Sequence, residues 1–189
     1  MNKFKALVLD KVNDETNLEI KQLSMDDLPE GEVTIQVEYS SVNFKDGLVA
    51  IQNKIITSYP MVPGIDLAGT VIHSKDEKYN PGDEVIVTSY QLGTGHFGGF
   101  SEIARVPSGW VVPLPKGLSL KESMILGTAG FTAALSVQRM EDNGLEPSQG
   151  PVLVAGATGG VGSLAVNILA KKGYEVVAST GKSEQEEYL

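Results

Sequence analysis

The chain has 189 residues, which is enough for one large domain or two small ones. Apolar residues make up 41 % of it and charged residues 21 %, ordinary values for a soluble globular protein. A net charge of −9 argues against a nucleic-acid-binding protein, and the absence of cysteine excludes disulfides and zinc sites that are built on thiolates.

Residues 1–118 are predicted to be rich in β-structure, because short runs of β-branched residues alternate there with Gly, Pro, Asn and Asp. One of these runs alternates apolar with polar residues, the pattern of a half-buried strand. The predicted strands are, in chain order, Ala6–Leu9, Val33–Tyr39, Ala68–His73, Glu84–Thr88, Phe100–Val106 and Trp110–Val112. Many short strands at such spacing indicate a small barrel or sandwich.

The pattern changes at Ser119, where Ser119 and Glu122 fit the capping box that begins a helix. This helix is predicted to run to about Met140, with an interruption near Gly127 and Gly130. We therefore expect two domains, covering residues 1–118 and 119–189, in a chain of the α/β class.

A glycine-rich turn then joins an apolar strand, Val152–Ala155, to an amphipathic helix. The strand is continuously apolar, as expected for a central parallel strand that is covered on both faces. Small residues in the turn let the backbone approach a pyrophosphate, and amides at the helix N-terminus bind the anion. Ala157 stands where the strict GxGxxG motif has its first glycine. Because a second strand, Glu175–Ser179, follows the helix, the context still favours a dinucleotide-binding unit over another glycine-rich turn.

The end of the second strand predicts which dinucleotide is bound. An acidic residue there would bind a ribose hydroxyl of NAD. This chain instead has Ser179, Thr180, Gly181 and Lys182, so no carboxylate repels a 2′-phosphate and Lys182 with two hydroxyls can hold one. The loop favours NADPH; the alternative is that Lys182 is a solvated loop residue. Ser183 to Leu189 looks like the start of a further helix.

No metal site is predicted. The only histidines, His73 and His96, show neither HxH nor HExxH spacing. The N-terminal apolar run is too short for a signal peptide, and no run approaches the length of a membrane span. We therefore expect a cytoplasmic enzyme that acts on neither nucleic acids nor membranes.

Four motifs together resemble the medium-chain dehydrogenase/reductase superfamily. They are VNFKD at 42–46, PGIDLAGTV at 63–71, GTAGFTA at 127–133 and GATGGVG at 156–162. They are similar to its zinc-free, quinone-oxidoreductase-like branch, and above all to the YhdH/YhfP family of acrylyl-CoA reductases. The zinc-dependent relatives carry a His-Glu pair in the segment where this chain has Ile65 and Asp66.

The resemblance implies a GroES-like catalytic domain followed by an incomplete Rossmann coenzyme domain. It also implies NADPH-dependent reduction of acryloyl-CoA to propanoyl-CoA: hydride reaches the β-carbon, donors stabilise the enolate oxygen, and a proton is added at the α-carbon. The substrate is then a small acyl-CoA, and the complete family protein is expected to be a homodimer.

The resemblance also assigns site residues. Asn43, Lys45 and Asp46 match the loop at the catalytic cleft, and Asp66 is a further catalytic candidate, although Asp66 can equally satisfy backbone amides in a turn and Lys45 can be a solvated residue. Phe44 stands where relatives usually have a tyrosine that contacts the cofactor, so it cannot donate a proton. The cofactor-binding matches are Phe44, Thr128, Gly159, Gly160, Val161 and Gly162 for the nicotinamide and pyrophosphate, and Ser179, Thr180, Gly181 and Lys182 for the 2′-phosphate.

Family members are considerably longer than this chain, which supplies two of the about six parallel strands of a coenzyme domain. We therefore expect a fragment with open strand edges and little reductase activity alone. Two other functions stay open at this point: an NADPH:quinone oxidoreductase, and a non-enzymatic GroES-like interaction module with a vestigial nucleotide unit.

Overall fold

The computed structural model describes residues 3–13, 15–52 and 55–188, and it divides into two compact units. The first unit ends at Gly127 and the second begins at Thr128. The predicted boundary between residues 118 and 119 falls instead at the start of a helix, so the first unit keeps the opening turns of that helix.

The described residues form nine strands and three α-helices. The strands are β1 (Phe4–Val12), β2 (Glu15–Leu23), β3 (Val33–Tyr39), β4 (Asp66–Ser74), β5 (Glu84–Thr88), β6 (Ile103–Val106), β7 (Val111–Pro113), β8 (Val152–Ala155) and β9 (Val176–Ser179). The helices are α1 (Phe44–Gly47), α2 (Leu120–Asp142) and α3 (Gly160–Lys171), with a π-helical turn at Leu48–Gln52 and 3₁₀ turns at Met25–Asp27, Ser108–Trp110, Pro147–Gln149 and Ser183–Tyr188.

The first unit is built on a five-stranded antiparallel sheet in the order β6-β3-β4-β5-β7. Its inward side chains form one apolar core, because every second residue of a strand faces the same side of the sheet, as Val33 and Ile35 do on β3 and Val85 and Val87 do on β5. The core residues are Val33, Ile35, Leu67, Val71, Val85, Val87, Leu92, Ala104, Val106 and Val111. The predicted strands of residues 1–118 are all present, and β3 and β5 have the predicted bounds.

Strand β2 was not predicted. It pairs with β1 along its whole length, from Phe4↔Leu23 to Val12↔Glu15. Its first six residues are all exposed, and Ile20 is among the most exposed large apolar side chains of the first unit. A strand without a buried face carries no strong alternating apolar pattern, so its sequence resembles that of a polar loop.

Helix α2 begins where it was predicted. The Ser119 backbone amide donates to Glu122 Oε2 at 2.9 Å, and the Glu122 backbone amide donates back to Ser119 Oγ at 3.2 Å, which forms the expected capping box. The helix is interrupted at Gly127, which has φ 49° and ψ −156°, and is continuous through Gly130. Of the two predicted interruptions, the first is therefore confirmed and the second was wrong.

The second unit contains a parallel strand pair, β8 and β9, joined by helix α3. Val137, Leu169 and Tyr174 form its buried core, against which one face of the strand pair packs. On the other face Leu153 is 67 % exposed and Val177 is 47 % exposed. The expectation that β8 is covered on both faces was therefore wrong for this chain: side chains alternate between the faces, and one face carries no covering layer within the described residues.

The segment after β9 is a 3₁₀ turn over Ser183–Tyr188 and not an α-helix, while Leu189 lies outside the described residues. No helix within the described ranges is both long enough and apolar enough to cross a membrane.

Candidate functional site

Two loops of the first unit bring Asn43, Asp46 and Asp66 together. Strands β3 and β4 are paired antiparallel, and the register Tyr39↔Ala68 places the segment that follows β3 beside the start of β4. Asp66 opens β4, while Asn43 is the residue before the one-turn helix α1 and Asp46 lies within it. The three residues that the sequence assigned to the catalytic loop and to β4 are therefore neighbours in the fold.

Asp46 ties these loops together through its carboxylate. Its Oδ2 accepts a hydrogen bond from the Asn43 backbone amide at 2.7 Å, and its Oδ1 accepts one from the Ile65 backbone amide at 2.9 Å. Burial raises the pKa of the Asp46 carboxyl, and the hydrogen bonds from Asn43 and Ile65 oppose that rise. With a backbone amide on each oxygen, the side chain holds α1 against the start of β4.

Asp66 orients the Asn43 side chain. Asp66 is fully buried, and its Oδ2 accepts hydrogen bonds from Ser41 Oγ at 2.5 Å and from Asn43 Nδ2 at 2.9 Å. The nitrogen of the Asn43 side-chain amide therefore faces Asp66. Ser41 was missed by the sequence analysis, because a serine after a strand carries no signal of its contact with a residue 25 positions away.

The interruption of α2 lies against this cluster. A Cβ atom added at Gly127 would lie 2.7 Å from Ser41 Oγ and 2.9 Å from Asp66 Oδ2. With φ 49° and ψ −156°, the position also has a backbone conformation that is close to glycine-only. Gly127 is therefore required both by its conformation and by the polar atoms beside it. Thr128, predicted to lie near the nicotinamide, follows directly and begins the second unit.

The two remaining residues of the loop face solvent. Phe44 is 85 % exposed, and Lys45 is also exposed. Both lie on α1, whose buried residue is Asp46. The loop thus buries its carboxylate and leaves an aromatic ring and an ammonium group accessible.

In the second unit, the glycine turn between β8 and α3 is closely packed. Gly156 has φ +67°, and a Cβ added at Gly162 would lie 2.2 Å from the Gly156 carbonyl oxygen. Gly159 precedes α3, and its carbonyl accepts a hydrogen bond from the Ser163 amide at 2.9 Å. The turn therefore needs glycine at 156 and 162 for its own geometry.

The same turn fits a pyrophosphate. Gly160, Val161 and Gly162 are the first three residues of the twelve-residue helix α3, and amides at that end of a helix have no intrahelical acceptor. Gly159 and Gly160 carry no side chain that would cover these amides, and the positive end of the helix dipole favours an anion there. The donor set and the uncovered backbone match the requirements of the group that the sequence predicted.

The loop after β9 lies beside this turn. The Ala157 amide donates to the Ser179 carbonyl at 3.0 Å, continuing the contact between the two strand ends. Ser179, Gly181 and Lys182 are exposed, whereas Thr180 is half-buried, with its hydroxyl 3.0 Å from that of Thr158. The predicted pyrophosphate residues and the predicted 2′-phosphate residues are therefore adjacent. Thr158 was not among the predicted site residues.

Neither histidine lies in a candidate metal centre. Within the described ranges, no group of three or more His, Cys, Asp and Glu residues is placed to hold a metal ion. His73 is exposed on β4, and the His96 ring nitrogens lie 3.1 Å from the Phe97 carbonyl and 3.2 Å from the Glu30 carbonyl.

Comparison with known proteins agrees with this description. Residues 29–116 match the alcohol dehydrogenase GroES-like domain. The chain is 55 % identical over 187 residues to the putative quinone oxidoreductase YhfP of Bacillus subtilis, with 98 % of the chain and 57 % of YhfP covered. It is 54 % identical to the acrylyl-CoA reductase AcuI of Ruegeria pomeroyi, again with 98 % and 57 % covered.

Over 98 % of its length the chain is similar to proteins of the YhfP/YhdH family. A crystal structure of the Salmonella enterica YhdH oxidoreductase in complex with NADP superposes with a TM-score of 0.95 at 46 % identity, covering 97 % of this chain and 57 % of YhdH. A structure of B. subtilis YhfP with NAD bound gives a TM-score of 0.95 at 54 % identity, covering 100 % and 57 %. The fold is thus a GroES-like domain followed by the first part of a Rossmann domain. The chain spans 57 % of the length of these relatives.

Proposed function

We propose that this chain belongs to an NADPH-dependent reductase of α,β-unsaturated acyl-CoA thioesters, with acryloyl-CoA as substrate and propanoyl-CoA as product. The observation that carries the proposal is the open N-terminus of α3 beside a loop, residues 179–182, that contains no carboxylate. An NADP-bound YhdH and a relative named acrylyl-CoA reductase support it. The NAD-bound form of YhfP makes the choice between NADPH and NADH a point that needs its own test.

The residues of the second unit would hold the cofactor. The amides of Gly160, Val161 and Gly162 would bind the pyrophosphate, and the exposed Ser179 and Lys182 side chains would bind the 2′-phosphate. Bound NADPH would supply the hydride for the reduction. Thr128 and Phe44 stay predicted contacts of its nicotinamide half.

In the first unit, we assign different tasks to the four predicted catalytic residues. Asp46 and Asp66 are positioning residues, because their buried carboxylates accept hydrogen bonds from the loop that carries Asn43. Asn43, whose side-chain amide is hydrogen-bonded to Asp66 and also to Asp46, is the residue of this loop that we propose to contact the thioester. The exposed Lys45 ammonium adds positive charge on α1, which follows Asn43 directly, and is suited to an anionic substrate.

The alternative acceptor is a quinone, as the name of the B. subtilis relative suggests. Following NADPH absorbance with acryloyl-CoA and with a benzoquinone as rival acceptors separates the two, provided that the product is identified by mass. For the complete protein we expect propanoyl-CoA and a preference for the thioester, because the 189-residue chain alone is expected to have little reductase activity. Reduction of the quinone in preference to acryloyl-CoA would overturn the assignment of the substrate.

The proposal carries three further expectations: a small-molecule partner, a cytoplasmic location and, for the complete protein, a homodimer. A non-enzymatic interaction module is the competing class. It predicts no saturable NADPH binding, whereas the reductase requires it.

A further inference from the structure

Resting on the proposed function, we infer that Thr158 and Thr180 form a positioning pair that determines the preference for a 2′-phosphate. The pair joins the glycine turn to the loop after β9. In this pair Thr180 donates its proton to Thr158, so the Thr180 hydroxyl does not act as a phosphate ligand itself. The ligands are the exposed groups of the loop, Ser179, Gly181 and Lys182.

The strand register brings the two threonines together. Strands β8 and β9 are parallel neighbours with Ala155 opposite Ser179, so the residues that follow each strand lie at the same edge of the sheet. The hydroxyls of Thr158 and Thr180 are 3.0 Å apart, which is hydrogen-bond distance. This contact links the glycine turn after β8 to the loop after β9.

Thr180 is also bonded within its own loop. Its Oγ1 accepts a hydrogen bond from the Lys182 amide at 3.2 Å. An ionised phosphate oxygen only accepts hydrogen bonds, and a threonine hydroxyl has one proton, so a Thr180 that donates to Thr158 has no proton left for a phosphate oxygen. The amide of Lys182 is used as well, which leaves its side chain as the charged ligand.

Thr158 therefore affects the preference for NADPH over NADH through Thr180, without contacting the 2′-phosphate itself. The hydroxyl pair holds the turn at Thr180, and the turn sets the direction in which the Lys182 side chain and the Ser179 hydroxyl face. A 2′-phosphate depends on that arrangement, whereas the 2′-hydroxyl of NADH makes fewer contacts with it. Loss of the pair should therefore weaken NADPH binding more than NADH binding.

The test uses two matched substitutions. Thr158→Val keeps the shape of the side chain and removes the hydroxyl, while Thr158→Ser keeps the hydroxyl. Dissociation constants for NADPH and NADH are measured by fluorescence titration of the purified protein, with thermal unfolding as a check that each variant is folded. We expect Thr158→Val to weaken NADPH binding about 3- to 10-fold, the range for one hydrogen bond, and NADH binding by less than about 2-fold.

Two further variants complete the design. Thr158→Ser should stay within about 2-fold of the wild type for both cofactors. The double variant Thr158→Val with Thr180→Val should lose no more NADPH affinity than Thr180→Val alone, because the two hydroxyls act as one unit.

Equal weakening of NADPH and NADH in Thr158→Val, no weakening of either, or additive losses in the double variant would each overturn the inference. A wild type that binds both cofactors equally would overturn the proposed NADPH dependence, and with it the inference. A selective wild type combined with an unselective effect of Thr158→Val overturns the inference alone.

Discussion

At the scale of single residues, the two buried carboxylates of the first unit have different tasks. Asp46 accepts backbone amides and closes α1 onto β4, whereas Asp66 accepts side-chain donors and orients Asn43. Both stand in motifs that the sequence singled out. Their separate tasks could not be predicted, because these depend on the pairing of β3 with β4 and on the path of residues 41–46.

The pKa of Asp46 predicts a pH dependence of stability. Burial raises this pKa above its ordinary value of 3.8, so the folded protein keeps the proton to higher pH than the unfolded chain does. Between the unfolded and the folded pKa the unfolded state binds fewer protons, and this group therefore lowers the free energy of unfolding as pH rises. The variant Asp46→Asn has no titrating carboxyl at this position, so its free energy of unfolding should not show this decline. Urea unfolding of the wild type and of Asp46→Asn from about pH 3 to about pH 7 measures the difference between their free energies of unfolding.

Asp76→Asn is the control with the opposite sign. The Lys78 amide lowers the pKa of Asp76, so its contribution to stability is present above its ordinary pKa and is lost as pH falls through the folded pKa. A difference between wild type and Asp46→Asn that grows in favour of the wild type with rising pH would contradict the assignment for Asp46.

Gly127 gives a second test at this scale. Gly127→Ala places a Cβ within 3 Å of Ser41 Oγ and Asp66 Oδ2 in a backbone conformation that alanine avoids, so we expect a loss of about 3 kcal/mol or more in the free energy of unfolding. Gly117→Ala is the matched control. Gly117 also has a positive φ, of +92°, but its added Cβ meets no atom within 4 Å, so we expect a loss of only about 1 kcal/mol. An equal loss of unfolding free energy in the two variants would show that the contact of the added Cβ with Ser41 and Asp66 does not destabilise the protein.

At the scale of elements, the strands that could be predicted from the sequence are those with a buried face. The strands with one buried face, such as β3 and β5, were predicted at their correct bounds, and the capping box placed the start of α2. Strand β2 was missed because it has no buried face. The contact between Thr158 and Thr180 was missed for another reason, since it depends on the register of two parallel strands and no local pattern encodes it.

The strand pair of the second unit predicts unequal effects of two leucine substitutions. Leu169 is 1 % exposed in the core of this unit, and Leu169→Ala should lower the free energy of unfolding by about 2–5 kcal/mol. Leu153 is 67 % exposed on the open face of β8, and Leu153→Ala should change it by less than about 0.5 kcal/mol. Urea unfolding followed by circular dichroism measures both. A similar loss for the two variants would mean that the face bearing Leu153 is covered in solution.

At the scale of the whole molecule, the chain combines a GroES-like unit, which carries Asn43 and its supporting carboxylates, with the strand–turn–helix–strand unit that carries the dinucleotide motif. It spans 57 % of the length of the relatives it matches, so the homodimer, the acyl-CoA substrate and the reductase activity stay proposals for the complete protein. Motifs from both units were needed to recognise the family, because the glycine turn on its own is common to many α/β proteins.

We propose that residues 156–182 bind NADPH through the N-terminus of α3 and the 2′-phosphate loop. The most direct test of this proposal is an equilibrium titration of the purified protein with NADPH and with NADH, repeated on Lys182→Ala and, as an exposed lysine outside this loop, on Lys116→Ala. We predict saturable NADPH binding that is tighter than NADH binding, with the preference lost in Lys182→Ala and retained in Lys116→Ala. Absence of saturable NADPH binding, equal affinity for the two cofactors, or a preference that survives Lys182→Ala would contradict this account.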